Sequence, residues 1–326
     1  IFFLSVRINS VSFINFIVNM YFCNCNNNKI NMAISASKIL VPIDFSEQSM
    51  IALGQAFSLA KIKKSDVVLL SVIQDLTIMQ SLFMDDKSHE FQKKLNDKLI
   101  NLASEYQDIY NVEVDTMVAK GKVYEQINNV AEMISADLII MGTNGSPKTA
   151  IRKFIGSNAE RVVRSAYCPV ITIKGKEHRT GCKNIILPLD LEKETKEKVT
   201  TAIEYARYWN ATIRVVSVIL NKNNDEIRKR LIRNIKQVSS FIQKTGVKCT
   251  SELLDGDEKQ TLGGFVLDYE KNFEADLIII MTKKEELSLS NNISVTARYI
   301  INNSSIPVMS IRPKERKYIT PRSTTF

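Results

Sequence analysis

Two short stretches carry residue types that could do chemistry: Met141-Gly142-Thr143-Asn144-Gly145 and, after ten intervening residues, Gly156-Ser157-Asn158. The first follows Ala136-Asp137-Leu138-Ile139-Ile140, an apolar run of strand length. The second leads into Ala159-Glu160-Arg161-Val162-Val163-Arg164, which reads as a helix. A glycine-bearing loop between a strand and a helix start suits phosphate. Glycine lets main chain come close, and the first N–H groups of a helix have no partner within it and face the anion. The plainer alternative for Gly142 is tight strand–helix packing. Asp44, at the end of another apolar run, also has two readings: a ligand-binding carboxylate, or one that caps a helix or fixes a loop.

Other chemistries find no pattern. Neither His89 nor His178 neighbours a nucleophile in a motif. Gly-x-Ser-x-Gly is absent, and Gly121-Lys122 lacks the rest of a Walker loop. The five cysteines are odd in number and fit no disulfide framework. Cys23 and Cys25 have no further ligands nearby, so no zinc site and no other metal ligand is assigned. Free thiols suit a reducing, cytoplasmic setting. No catalytic residue is assigned, and weak ATP hydrolysis is the most enzymatic activity expected.

The elements that must position these residues come twice. Lys38-Ile39-Leu40-Val41-Pro42-Ile43-Asp44 returns as Asn184-Ile185-Ile186-Leu187-Pro188-Leu189-Asp190. Ala136 to Met141 returns from Ala275 to Met281, and Cys168-Pro169-Val170-Ile171 returns as Ile306-Pro307-Val308-Met309. The order is kept, which marks a tandem repeat with a linker near Gly175 to Lys183.

In the first copy, strands are expected near Ile39–Ile43, Val67–Val72, Val112–Val118, Leu138–Met141 and Val170–Ile173. Helices are expected over Glu47–Ala60, Ser81–Tyr106, Val123–Ser135 and Ser157–Ser165, with Ser46 capping the first. The second copy gives strands near Ile185–Leu189, Ile213–Val218, Val247–Leu254, Leu277–Ile280 and Val308–Ile311. Aliphatic strands alternating with helices imply an α/β fold: two tandem doubly wound domains, each with a parallel sheet and helices on both faces. Ligands of such sheets sit at strand carboxyl ends, where strand order reverses. Asp44 and the Gly142 loop should converge there. Met79, Phe83 and Met84 read as core or interface packing, and Gly121 and Gly256 as turn glycines after the third strands.

Length and charge set the bounds. The chain has 326 residues, enough for two domains, and is 44% hydrophobic and 24% charged. The net charge of +9 comes from 44 basic and 35 acidic residues that are scattered and intermixed. No basic stripe interleaved with aromatics stands out, so neither nucleic acid nor membrane is expected as a partner. Residues 1–35 read as a poorly structured N-terminal extension, the first 31 of them upstream of a start at Met32, with a weak membrane anchor as the competing reading. Residues 314–326 form a basic tail.

Taken together, Val41-Pro42-Ile43-Asp44-Phe45-Ser46, Met141-Gly142-Thr143-Asn144-Gly145, Gly156-Ser157-Asn158-Ala159-Glu160-Arg161-Val162 and Cys168-Pro169-Val170 resemble the universal stress protein domain. The resemblance runs from about residue 36 to 312, with a first domain of the ATP-binding type at 36–176 and a second at 183–313. It implies a five-stranded parallel sheet in the order 3-2-1-4-5 per domain. The family's ATP-binding branch carries Gly, two residues, Gly, nine residues, then Gly-Ser/Thr. By this resemblance Pro42, Ile43 and Asp44 line an adenosine pocket, with Asp44 bonding adenine or ribose, and Val72 packs on adenine. Met141, Gly142, Thr143 and Gly145 hold ribose and phosphates from one side. Gly156, Ser157 and Asn158 give N–H groups and the Ser157 hydroxyl to phosphate. The implied cofactor is ATP, with Mg2+ as an optional companion that finds no obvious carboxylate in the loop.

Here the second spacing is ten residues rather than nine. The extra residue, within Ser146–Ile151, either bulges outward, with Lys148, Arg152 or Lys153 adding charge near phosphate, or spoils the loop. In the second copy the loop from Thr282 to Ser294 has no glycine. Thr282 is taken as the counterpart of Gly142, Ser294 of Gly156 and Val295 of Ser157, while Glu285 and Glu286 would repel phosphate. This copy is not expected to bind ATP in the same way.

The resemblance therefore implies a regulatory protein of the stress response that binds adenine nucleotide in its first domain and acts on an unidentified protein partner. The alternative is an interaction scaffold without nucleotide. It would be built as an internal pseudo-dimer through the fifth strands, with a homodimer of whole chains also open. A nucleotide hydrolase or adenylyl transferase has the least support.

Overall fold

The computed structural model describes residues 37–74, 85–143, 156–174, 181–189, 196–220, 224–256, 260–282 and 293–313, and of 85–89 the backbone alone. The expected extension and basic tail, the Met79–Met84 cluster, Asp190 and most of both glycine-loop regions lie outside the described residues. Two compact units change over between Cys182 and Lys183.

In the first unit the strands are β1 (Lys38–Pro42), β2 (Asp66–Ile73), β3 (Val114–Lys120), β4 (Leu138–Gly142) and β5 (Val170–Ile173). The helices between them are α1 (Glu47–Lys63), α2 (Asp85–Tyr110), α3 (Val123–Met133) and α4 (Ser157–Ser165). The spatial order is β3-β2-β1-β4-β5. Every neighbouring pair in it is parallel. Two crossovers run outward from β1 to β3 and two run back through β4 to β5. Right-handed connections therefore place α1 and α2 on one face, α3 and α4 on the other. Contacts of α1 with α2, and of α3 with α4, agree with that.

The second unit repeats the plan. Its strands are β6 (Asn184–Pro188), β7 (Thr212–Ile219), β8 (Cys249–Asp255), β9 (Leu277–Met281) and β10 (Val308–Ile311). Its helices are α5 (Lys196–Trp209), α6 (Asp225–Lys244), α7 (Leu262–Asn272) and α8 (Val295–Asn303). The order is β8-β7-β6-β9-β10, again parallel throughout.

Local chemistry explains the boundaries. Ser46 caps α1, its side chain accepting from the Ser49 N–H at 3.3 Å, and Lys64 ends the helix in the left-handed conformation at φ 54°. Asn210, at φ 52°, ends α5 at the matching place. Asp137 and Asp276 clamp the two sheets alike. The Asp137 carboxylate accepts from the Lys38 N–H at 3.1 Å, and that of Asp276 accepts from Asn184 N–H at 3.0 Å. β3 and β8 each start two residues later than expected, and α2 ends four residues later, at Tyr110. Val112 is buried but precedes the strand, because pairing with β2 begins at Val67 opposite Val114.

The core is continuous aliphatic strand covered by helix. Ile39, Leu40 and Val41 of β1 and Leu138 and Ile139 of β4 are fully buried, as are Ala52, Leu53 and Phe57 of α1. Phe57 ties α1 to α2, its ring 5.0 Å from that of Tyr106 and 5.4 Å from that of Tyr110. Phe57→Ala leaves a cavity under both tyrosines and should cost about 3–5 kcal/mol, measured as a lower denaturant midpoint in urea.

Candidate functional site

The strand order of the first unit reverses between β2 and β4 on either side of β1, so the crevice opens at the carboxyl ends of β1 and β4. Pro42 ends β1 opposite Leu70, and Ile43 continues it, donating its N–H to the Leu70 carbonyl at 2.7 Å. Asp44 follows, exposed. Its Oδ1 accepts from both the Ser46 N–H at 3.0 Å and the Ser46 hydroxyl at 2.5 Å. The loop-fixing role is thus filled, while Oδ2 is left for another donor. This turn holds Phe45 at φ 59°, a conformation that costs a bulky residue on the order of 1 kcal/mol or more. The Lys98 ammonium, 4.1 Å from the Phe45 ring centroid, supports it from α2. Val72, half-buried on β2, pairs with Ala119 one strand further out.

On the other side, Met141 is buried opposite Thr172 and Gly142 ends β4 opposite Ile173. A side chain at Gly142 would have its Cβ 2.9 Å from the main-chain carbonyl carbon of Gln48 in the first turn of α1. The space that glycine leaves is filled by a helix, as the packing alternative expects. Thr143 is buried, its N–H donating to the Ile173 carbonyl at 3.0 Å.

Gly156 returns to the same place and donates its N–H to the Thr143 carbonyl at 2.8 Å, which sets the start of α4. A Cβ on it would stand 2.7 Å from that carbonyl oxygen. With no side chain, Gly156 cannot cap the helix it precedes. The N–H groups of Ser157, Asn158 and Ala159 have no acceptor inside α4. Ser157 is exposed beside them and Asn158 half-buried. The end of β1, the end of β4 and the start of α4 therefore come together. Gly145, with Lys148, Arg152 and Lys153, lies outside the described residues.

The second unit shows what the first leaves open. Met281 pairs with Ile311 as Gly142 does with Ile173. Thr282 donates its N–H to the Ile311 carbonyl at 2.9 Å, as Thr143 does to Ile173. The counterpart of Gly142 is thus Met281 and that of Thr143 is Thr282, which corrects the expected match of Thr282 to Gly142 by one residue. Ser294 holds the place of Gly156, donating its N–H to Thr282 carbonyl at 2.8 Å. Its hydroxyl accepts from the Ala297 N–H at 3.2 Å, so this helix start carries its own cap. Val295, 84% exposed, stands where Ser157 does.

Lys198 is the feature that sequence patterns missed. It takes the place of Ala52, and its buried ammonium donates to the carbonyl of Pro188 at the carboxyl end of β6. The missed signal was a lysine among the apolar positions of α5. Glu285 and Glu286 lie outside the described residues.

Among the described residues no cluster of His, Cys, Asp and Glu could hold a metal, and no helix is long and apolar enough to cross a membrane. The buried thiol of Cys168 is pushed up to about 12 by desolvation, which removes it as a nucleophile.

A doubly wound domain with a glycine-marked helix start at its strand-reversal crevice defines a class of α/β protein. Within that class, this chain belongs to the universal stress protein family. The model of that family matches residues 36–174. Over 163 residues, 44% of this chain and 99% of the relative, the chain is 32% identical to a universal stress protein of Methanocaldococcus jannaschii. A universal stress protein from Archaeoglobus fulgidus shares the fold at a TM-score of 0.66 and 16% identity, over 86% of this chain and 99% of that one. A putative universal stress protein from Pseudomonas aeruginosa does so at 0.61 and 18%, over 86% and 94%.

Two stability changes follow. Gly142→Val pushes against the Gln48 main chain, which cannot swing aside, and should lower the melting temperature of the first unit. Ser294→Ala removes the cap of α8 and should cost about 1 kcal/mol, read from urea unfolding.

Proposed function

We propose that this chain is a nucleotide-binding regulatory protein of the stress response that holds ATP in its first domain, residues 36–176, and not in its second, residues 183–313. The observation that carries this reading is the bare start of α4. Gly156 leaves the first N–H groups without a side-chain cap, while the matching start of α8 is closed by Ser294. Phosphate oxygens would take the N–H groups of Ser157 and Asn158 and the Ser157 hydroxyl. Pro42, Ile43 and Val72 would pack the adenosine, and Asp44 Oδ2 would accept from adenine or ribose. Met141, Gly142, Thr143 and Gly145 would border the ribose and phosphates. Mg2+ would sit on the phosphates, with no protein carboxylate assigned to it. The chain's action is occupancy: ATP shifts the balance between two forms that present different surfaces to a protein partner. Hydrolysis is at most slow.

A scaffold without nucleotide is favoured by one observation, the filling of the space at Gly142 by Gln48. The two separate in a thermal shift assay. ATP at about 100 times its Kd adds roughly 2.7 kcal/mol and should raise the melting temperature by several degrees. Gly156→Ser, which introduces the cap seen at Ser294 and sets a Cβ against the Thr143 carbonyl, should abolish the shift, read against the variant's own melting temperature without ATP. A wild-type protein that neither melts later with millimolar ATP nor releases nucleotide on acid extraction is a scaffold. Rapid ATP turnover above the Gly156→Ser background would mark a hydrolase instead.

A further inference from the structure

The intermixed charges of the whole chain conceal one helix that departs from them. From Ile227 to Ser251 the sequence holds no acidic residue, and α6 lies within this stretch apart from its first two residues, Asp225 and Glu226. Lys229, Arg230, Arg233, Lys236 and Lys244 are all exposed. At about 1.5 Å per residue they extend over roughly 22 Å of helix. None of the five has an ion-pair partner among the described residues. The helix's own carboxylates, Asp225 and Glu226, lie one turn before Lys229 and Arg230, and Asp255 on β8 is taken by Arg228. At the far end Arg207 reaches in from α5 to the Thr245 carbonyl and adds a further cation.

The fold does not require this charge. The helix in the matching place of the first unit, α2, carries six acidic residues against four basic ones and packs on its strands in the same way. In α6 the apolar side is fully committed, with Leu231, Ile235 and Ile242 buried against β7 and β8. What it offers outward is a band of cations, about a third of the helix's circumference wide, beside one aromatic ring, Phe241, 44% exposed.

We infer that the outer face of α6 binds nucleic acid through its phosphates, without reading sequence. A band of fixed cations is matched by a polymer of regularly spaced anions, whose condensed counterions are released on contact. Phe241 gives a base a surface to stack on. An anionic membrane fits less well. An interfacial helix inserts its apolar side into the lipid, and here that side is already the core of the domain. The inference does not rest on ATP binding in the first domain.

The test is fluorescence anisotropy of the full chain with a labelled 20-nucleotide DNA, duplex and single-stranded, between 50 and 200 mM salt. Duplex affinity should fall about 250-fold over that range, a log–log slope near −4. The variant Lys229→Gln/Arg230→Gln/Arg233→Gln/Lys236→Gln, all at exposed positions, should lose about three to four of that slope and weaken binding at least tenfold at 50 mM salt. Arg233→Gln/Lys236→Gln, should the fourfold variant not fold, should lose about half as much. Wild-type protein that leaves the oligonucleotide free at 50 mM salt overturns the assignment. So does unchanged binding by a folded variant. Capture by phosphatidylserine vesicles with no binding to DNA overturns it in favour of a membrane.

Discussion

One hydrogen bond organises the first unit's site: the Gly156 N–H to the Thr143 carbonyl, at 2.8 Å. It brings a helix back to the end of the strand that the chain left before the loop. Because Thr143 is itself pinned to Ile173, the helix start is referred to the sheet and not to the loop between. The loop can change length without moving the N–H groups it leads to. That is why the ten-residue spacing, one longer than the family's pattern, leaves the junction of β4 and α4 intact.

The same bond in the second unit, Ser294 to Thr282, shows that the junction and the open helix start are separable properties. Serine keeps the geometry and closes the end by capping it. Met281 and Lys198 act at the other two walls, one adding a side chain where glycine stood and one placing a buried ammonium at the end of β6. The sheet tolerates all three because none lies in its interior. β6, β7 and β9 keep the registers that β1, β2 and β4 have.

Much of this was legible in the residues. Aliphatic runs such as Ile39–Val41 and Leu138–Met141 could only be buried strands, and their alternation with helices left little freedom in topology. The repeat of Val-Pro-Ile-Asp as Leu-Pro-Leu-Asp gave the second unit. The convergence of Asp44 with the Gly142 loop followed from topology. Details that depend on contacts did not follow. Sequence cannot tell that Gln48 fills the space at Gly142, since the two are far apart along the chain. Nor did it show Lys198 bonded to Pro188, because a lysine on a helix is ordinarily solvated. The one-residue error at Thr282 arose from aligning loops, which carry no register, when the strand pairing beside them does. The basic face of α6 was averaged away by composition, and only the burial of its apolar side reveals which residues line up.

Lys198 has a consequence for what the second unit could become. An ammonium held inside a domain cannot simply be withdrawn, because losing it leaves the Pro188 carbonyl without its donor. Giving this crevice the first unit's residues would take replacement at Lys198, Met281 and Ser294, and at Lys198 and Ser294 each change alone removes a hydrogen bond. The second unit's crevice thus sits behind an adaptive one-way valve.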